Sequence, residues 1–309
     1  MRSWLFLMAS LLVGCVGPSD TPSKVHDLRV LGVRLEPPEI MGPSCDGGIQ
    51  ANFALFPAPV TLTALIADPA GKGRALTYEL RACASTDDGT CSRPGESTRL
   101  AFGTDAHDGE LVLTTRPALT QVGDGGFLIQ SVLAEDPFKG LGGVRMPLVL
   151  HVYAGTEEVF AQKLMVFSCK LFPGQIANEN PVLPGITLPD GSAWLEGTPP
   201  TFTGRGAVAL KTPDLAPYEV PYLVPSIQLL PVHLQESWRL AWYADHGAFS
   251  PESTGGVNGG GAVSANVTAW TPSSSDAAGS VRYWFVVRDG RGGMSWLARS
   301  AHFAPASKP

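Results

Sequence analysis

From His26 onward, apolar and polar positions alternate in short runs that glycine, proline or aspartate interrupts. A period of two is the spacing of a β-strand with one buried face. The first run, His26–Leu35, puts Leu28, Val30, Gly32 and Arg34 on one face and Val33 and Leu35 on the other, and it stops at Glu36-Pro37-Pro38-Glu39. Further strands are expected at Val60–Ala67, at Leu76–Leu80 running into Cys83, at Glu110–Thr114 and at Phe127–Ala134. A hairpin of Val144–Tyr153 and Glu158–Phe167 follows, turning at Ala154-Gly155-Thr156. Beyond Phe172 the alternation lapses into polar turn residues through Asn178-Glu179-Asn180-Pro181, so a domain boundary is expected there. The second half predicts strands at Ala207–Leu210, Ile227–Leu230, Trp238–Tyr243, Gly261–Ala269, Val281–Val287 and Ser295–His302. Trp238, Leu240 and Trp242 share one strand face, and Val281, Tyr283, Phe285 and Val287 share another. Short strands separated by turn signals predict an all-β chain of two tandem sandwiches, residues 26–172 and 178–306.

The composition agrees with that reading. The chain has 35 glycines and 27 prolines in 309 residues, about a fifth of the sequence against an ordinary usage of roughly 12%. Long helices do not tolerate such a density of breakers. Charged residues are only 16%, and the net charge of −6 lacks the basic face that a nucleic-acid partner requires. The two halves also look like distant repeats. Val132–Asp136 followed by Gly140–Val144 parallels Val286–Asp289 followed by Gly290–Met294, with an aspartate ending a strand and a glycine pair before the next.

The N-terminus carries an address. Arg2 precedes the apolar run Trp4–Val13, which is too short to span a bilayer permanently and reads as a secretory signal peptide over residues 1–14. It ends in Leu12-Val13-Gly14-Cys15, which resembles the bacterial lipobox, and the resemblance implies cleavage before Cys15 and acylation of that cysteine. Several acyl chains on one residue make attachment effectively permanent. Val16 follows where an aspartate would resemble the inner-membrane retention signal, so the implied destination is the outer membrane, on a face the sequence does not specify. Residues 15–25 then form a lipidated cysteine and a short flexible tether. With Cys15 assigned to lipid, four cysteines remain in an oxidising compartment. Cys83 and Cys91 bracket a turn-forming stretch and pair most easily with each other, which leaves Cys45 with Cys169. A zinc site lacks the paired Cys-x-x-Cys spacing that it would need.

Trp238–Tyr243, Gly247-Ala248-Phe249-Ser250, Trp270-Thr271-Pro272 and Val286–Gly293 occur in the order seen in bacterial Ig-like and PKD-like modules, and residues 178–306 resemble that family. The whole chain, with its lipobox, its Leu28-Arg29-Val30-Leu31 opening and its Glu36-Pro37-Pro38-Glu39 stop, is similar to surface lipoproteins of the myxobacterial type. The resemblance implies an Ig-like architecture and an envelope location, and it brings no ligand or catalytic residues with it.

Enzyme signatures are missing: there is no Gly-x-Ser-x-Gly elbow, His-Glu-x-x-His pair, phosphate loop or dinucleotide fingerprint. His26, His107, His151, His233, His246 and His302 are scattered. His151 reads as a packed or edge residue of its strand, and His246 as a solvated loop residue beside Asp245. Asp87, Asp88, Asp105, Asp108, Asp124, Asp136 and Asp289 all fall in turns, where capping explains them better than calcium does. Six of the seven tryptophans lie in the second half, namely Trp194, Trp238, Trp242, Trp270, Trp284 and Trp296. Trp284 alternates out of phase with Tyr283 and Phe285, so it is expected to face outward, with Tyr243, as a surface-binding pair. The functional expectation is a lipid-anchored, non-catalytic structural or protein-binding module of the cell envelope, without metal or cofactor. The alternative is a glycan-binding accessory module that uses the second-domain aromatics.

Overall fold

The computed structural model describes residues 21–52, 56–84, 91, 97–122, 125–255 and 266–305. The apolar N-terminal run with Cys15, Asp87, Asp88, Asp124, Gly256–Gly261 and the last residues of the second domain therefore lie outside the described residues. In the first domain, β1 (Arg29–Glu36) is followed at once by β2 (Glu39–Gly42), because Pro37 and Pro38 withhold the N–H groups that would continue one strand. Next come β3 (Val60–Ala67), β4 (Leu76–Cys83), β5 (Ser97–Ala106) and β6 (Gly109–Thr115), then helix α1 (Leu128–Glu135), β7 (Val144–Ala154) and β8 (Glu157–Cys169). One sheet has the order β1-β3-β6 and the facing sheet β2-β8-β7-β4-β5. The two prolines thus move the chain from one sheet to the other, and β2 pairs parallel with β8. The expected hairpin forms, with Ala154 opposite Glu157 across the turn at Gly155. Both expected disulfides are present, Cys83–Cys91 and Cys45–Cys169, the second joining positions 124 residues apart.

The second domain repeats the plan. Its strands are β9 (Thr201–Thr203), β10 (Val208–Lys211), β11 (Pro221–Pro225), β12 (Pro231–Gln235), β13 (Arg239–Ala244), β14 (Ala248–Ser250), β15 (Ser253–Gly255), β16 (Val267–Thr271), β17 (Gly279–Arg288) and β18 (Met294–Ala304). A sheet of order β10-β16-β14 faces one of order β15-β13-β17-β18-β9. Here too an early strand crosses over, β9 pairing parallel with β18. Both units are therefore Ig-like sandwiches by topology. The second core is aromatic, with Trp242, Trp270, Tyr283, Phe285 and Phe303 fully enclosed. The strand faces Trp238-Leu240-Trp242 and Val281-Tyr283-Phe285-Val287 both enter it.

Four expectations are corrected. Phe127–Ala134 forms a helix over Leu128–Glu135, since Leu128, Ile129, Val132 and Leu133 recur at helical spacing and bury one face; Gln130 Oε1 accepts the Phe127 N–H at its start. The Val132–Val144 segment consequently joins a helix to β7, whereas Val286–Met294 is a β-hairpin, so that parallel is not structural. Ile227–Leu230 forms the turn between β11 and β12, bounded by Pro225 and Pro231, with Leu229 at φ 59°. Residues 21–25 belong to the fold and not to a free tether: Val25 N–H donates to Ala244 O (2.8 Å), Ala244 N–H donates to Ser23 O (2.9 Å), and Ser23 and Val25 are buried against the second domain.

The two sandwiches pack face to face. A bulge between Val30 and Gly32 of β1 turns Leu31 toward the second domain while Val33 and Leu35 stay in the first core. On β3, Leu62, Ala64 and Ile66 enter the first core, and Leu65 and Ala67 meet Trp284, Val286, Met294 and Trp296 across the seam. Gly32 allows the closest approach, since a Cβ there would lie 3.1 Å from Met294 Sδ. Truncation of Trp284 to alanine should cost about 3–5 kcal/mol, the usual loss for a buried aromatic, measured by urea denaturation. A loss as small as that of an exposed substitution would contradict the seam.

Candidate functional site

The richest polar chemistry of the described residues lies at one end of this seam, where two motifs singled out in the sequence meet. The Glu36-Pro37-Pro38-Glu39 corner faces the Asn178-Glu179-Asn180-Pro181 linker. Asn180 Nδ2 donates to Glu36 Oε2 (2.9 Å) and to Leu35 O (2.8 Å), while its Oδ1 accepts the Met294 N–H (3.0 Å). Glu39 accepts the Asn178 N–H at 2.7 Å and the Ser168 hydroxyl.

The β17–β18 turn of the second domain completes the cluster. Asp289, 1% exposed, accepts the N–H groups of Arg291, Gly292 and Gly293 and the Asn178 side-chain amide (2.9 Å). A Cβ on Gly293 would fall 2.2 Å from Asp289 Oδ2, so only glycine permits this closure. Burial pushes the Asp289 carboxyl above its ordinary value, against the hydrogen bonds that favour its charge. Lys163 of β8 reaches across the junction to donate to Gly292 O. Burial pushes its ammonium down to about 8, opposed by the attraction of Asp289.

Beside this latch lies a cleft of about 450 Å³, lined by Met41, Lys170, Ile176, Val220, Glu236 and Arg291. Arg291, half-buried, is the better enclosed of its two cations. Its guanidinium stands 3.4 Å from Glu236 and 3.6 Å from Glu39, and it lies 4.2 Å from the centroid of the Tyr222 ring. Glu236 is further spent on the Trp238 indole N–H (2.9 Å) and the Val220 N–H (3.2 Å). The hairpin β11–β12 roofs this region, and its tip is bare, with Ile227 74%, Leu230 63% and Leu229 56% exposed. Of these contacts the Arg291–Glu39 pair crosses from one domain to the other, and the apolar hairpin tip is left outside.

The expected surface pair is overturned. Trp284 is 4% exposed, packed in the interdomain seam with Tyr243 against it, because the first domain covers the sheet face that the alternation had placed outward. The other five second-half tryptophans are buried as well, so they offer no platform for a sugar ring. His151 stacks on Phe160 (4.1 Å) and meets Glu158, while His246 bonds to Asp245 at the surface. Asp136 and Asp289 cap turns as expected. Asp108 instead bridges the domains to Arg282 (2.6 Å), which also binds Asp245. Sequence reasoning missed Lys163, whose only signal was a lysine in the apolar phase of Ala161, Met165 and Phe167. No group of three His, Cys, Asp or Glu suited to a metal occurs among the described residues. No described helix is long and apolar enough to cross a membrane.

No family model matches the chain, and no curated protein matches it. Solved structures with similarity include Escherichia coli alpha-2-macroglobulin activated by porcine elastase (8% identity, 93% of this chain and 22% of that one, TM-score 0.25). A chimeric titin Z1Z2-Z1Z2 tandem is similar over 91% of this chain and 100% of that one (8% identity, TM-score 0.20). The human Desmocollin-1 ectodomain is similar over 91% and 38% (14% identity, TM-score 0.20). Likenesses this remote carry no argument, and the Ig-like assignment rests on strand order.

Lys163 makes the latch sensitive to pH. It loses its proton at about 8 in the folded chain and at its ordinary 10.5 when unfolded. The unfolded state therefore holds more protons between those values, and stability rises with pH through that window, by up to about 3 kcal/mol in all. Urea titrations at intervals from pH 8 to 10 should show this rise in the native chain and lose it in Lys163→Met; equal slopes would remove the buried ammonium from the account.

Proposed function

We propose that this chain is a lipid-anchored outer-membrane lipoprotein that acts as a non-catalytic structural or protein-binding module of the cell envelope. The observation that carries the non-catalytic reading is the use made of the buried ionisable groups at the junction. Lys163 and Glu39 of the first domain bond Gly292, Asn178 and Arg291 across the junction, while Asp289 and Glu236 are taken up by the β17–β18 turn, Asn178, Val220, Trp238 and Arg291. A catalytic site needs such groups free to act on a substrate in open space; Glu236 and Arg291 border the cleft but are paired with each other there. Two disulfides brace the first sandwich in a way suited to an oxidising compartment outside the cytoplasm.

The anchor rests on Leu12-Val13-Gly14-Cys15 after the apolar run. Cleavage before Cys15 removes Arg2 and leaves a chain one unit more acidic than −6, so attachment would come from acyl chains and not from a polybasic segment. Growth with radiolabelled palmitate should label the native chain and leave Cys15→Ala unlabelled. Label retained by the variant overturns the anchor.

A further inference from the structure

We propose that the β5–β6 edge of the first domain is a two-fold contact surface for a second copy of this chain, with Phe102 and Val112 on the axis. An edge strand leaves every second N–H and C=O unpaired, and sheets ordinarily blunt such edges. The other described edges are blunted. β9, β10, β14 and β15 have only three or four residues. β1 is bulged between Val30 and Gly32, and β2 lies between Pro38 and Pro43. In the β11–β12 hairpin, the bonds from Glu236 N–H to Val220 O and from Ser226 N–H to Leu230 O put Pro221, Pro225 and Pro231 at outward-facing positions, where they have no N–H to offer. β6 has none of these devices. Its seven residues pair with β3 without a break and include neither proline nor lysine. Val112 stands 58% exposed at its centre.

A strand edge accepts any extended chain, and reciprocity selects the second copy. β5 and β6 end the two facing sheets on the same side, joined by the turn at His107 and Asp108. Val112 is three ladder positions from the start of β6, with Gly109 opposite Ile66 and Val112 opposite Thr63. Phe102 is three positions from the end of β5, with Ala106 opposite Leu76 and Phe102 opposite Glu79. The two residues are therefore level, and one axis along the normal of the sheets passes both.

Around that axis β5 matches its own copy. Arg99, opposite Arg81, is two ladder positions to one side of Phe102. Asp105, between Gly103 (opposite Tyr78) and Ala106 (opposite Leu76), is two positions to the other side. One extra residue of β5 on each side of Phe102, of the kind that re-aims side chains, makes these distances equal. The two-fold thus sets Arg99 against Asp105 of the second copy, twice, and Phe102 against itself. Within the chain Arg99 sits opposite a like charge, Arg81, which is paired with Glu79. Its guanidinium lies 5.5 Å from the centroid of the Phe102 ring, itself 50% exposed. Neither Arg99 nor Asp105 has an ion-pair partner among the described residues. On β6 the axis sets Glu110 opposite Thr114, so no like charges meet there. A contact in which each residue meets its complement reciprocally closes at two copies.

The test uses the full chain in detergent with one cysteine added on the axis, Val112→Cys, read by non-reducing electrophoresis after mild oxidation. A residue on a two-fold meets itself, so this variant should run as a covalent dimer. Ile227→Cys is as bare, but it belongs to the hairpin beside β2, at the other end of the five-stranded sheet, and should stay single. In the Val112→Cys chain, Arg99→Asp or Asp105→Arg turns two attractions into two repulsions and should lower the linked fraction several-fold. The two reversals together should restore it. Four ladder positions, roughly 13 Å, separate the pair within one chain, so only a second copy can supply that rescue. The native chain should sediment at twice its monomer mass. A monomer at every concentration overturns the contact. Links that either single reversal leaves unchanged, or that the double reversal fails to recover, overturn the two-fold register. A link at 227 without one at 112 gives the contact to the hairpin tip and overturns the edge.

Discussion

The architecture depends on one apolar seam, in which Leu31, Leu65 and Ala67 of the first domain press against Trp284, Val286, Met294 and Trp296 of the second. Alternation sends successive side chains of a strand to opposite faces. β3 and β17 therefore each give one face to their own core and the other to the seam, and neither has a solvent side. Either domain alone would bare an apolar sheet face of the kind that drives association. The two sandwiches are in this sense a single four-layered stack, and the stability of each half is conditional on the other.

Hydrophobic burial is non-directional, so the seam by itself would tolerate sliding. The polar contacts around its rim set the register. At one end, Asn178, Asn180, Asp289 and Lys163 tie the linker and the β17–β18 turn to the β1–β2 corner. At the other, Arg282 spans Asp108 and Asp245. Between them, the Trp296 indole donates to Glu110 and Arg288 to Leu31 O. Removing one partner from such a buried pair leaves its mate uncompensated, which is far more damaging than never having built the pair.

Much of this organisation was legible in the residue pattern, and the misses share a physical origin. Strands with one better-buried face, such as β8 and β13, are visible because alternation reports burial directly. The strands Val60–Ala67 and Val281–Val287 are equally legible, but their continuously apolar stretches Ala64–Ala67 and Tyr283–Val287 have a second buried face that alternation does not report. A strand enclosed on both sides loses its alternation, and that loss was the available clue that Trp284 is interior. β5 has no such signature because it is an edge strand with only Ala106 buried. Over eight residues the helical spacing of Leu128, Ile129, Val132 and Leu133 is too short a signal to separate a helix from an apolar strand. The paired Glu and Asn motifs were noticed separately, but contacts between positions more than 130 residues apart leave no trace in a single sequence.

The docking of residues 21–25 onto β13 reverses the order in which the domains feel a mechanical load. In a simple tandem, tension entering at the N-terminal end passes through the first domain before reaching the second. Here it meets the bridge to Ala244 first. The second domain takes the strain, and the first hangs from its flank outside the line of force, released only after Val25 has been peeled away. The sandwich that follows the N-terminus in sequence is thus the second in mechanics, and its disulfides brace a body outside the path of a pull applied to residues 21–25.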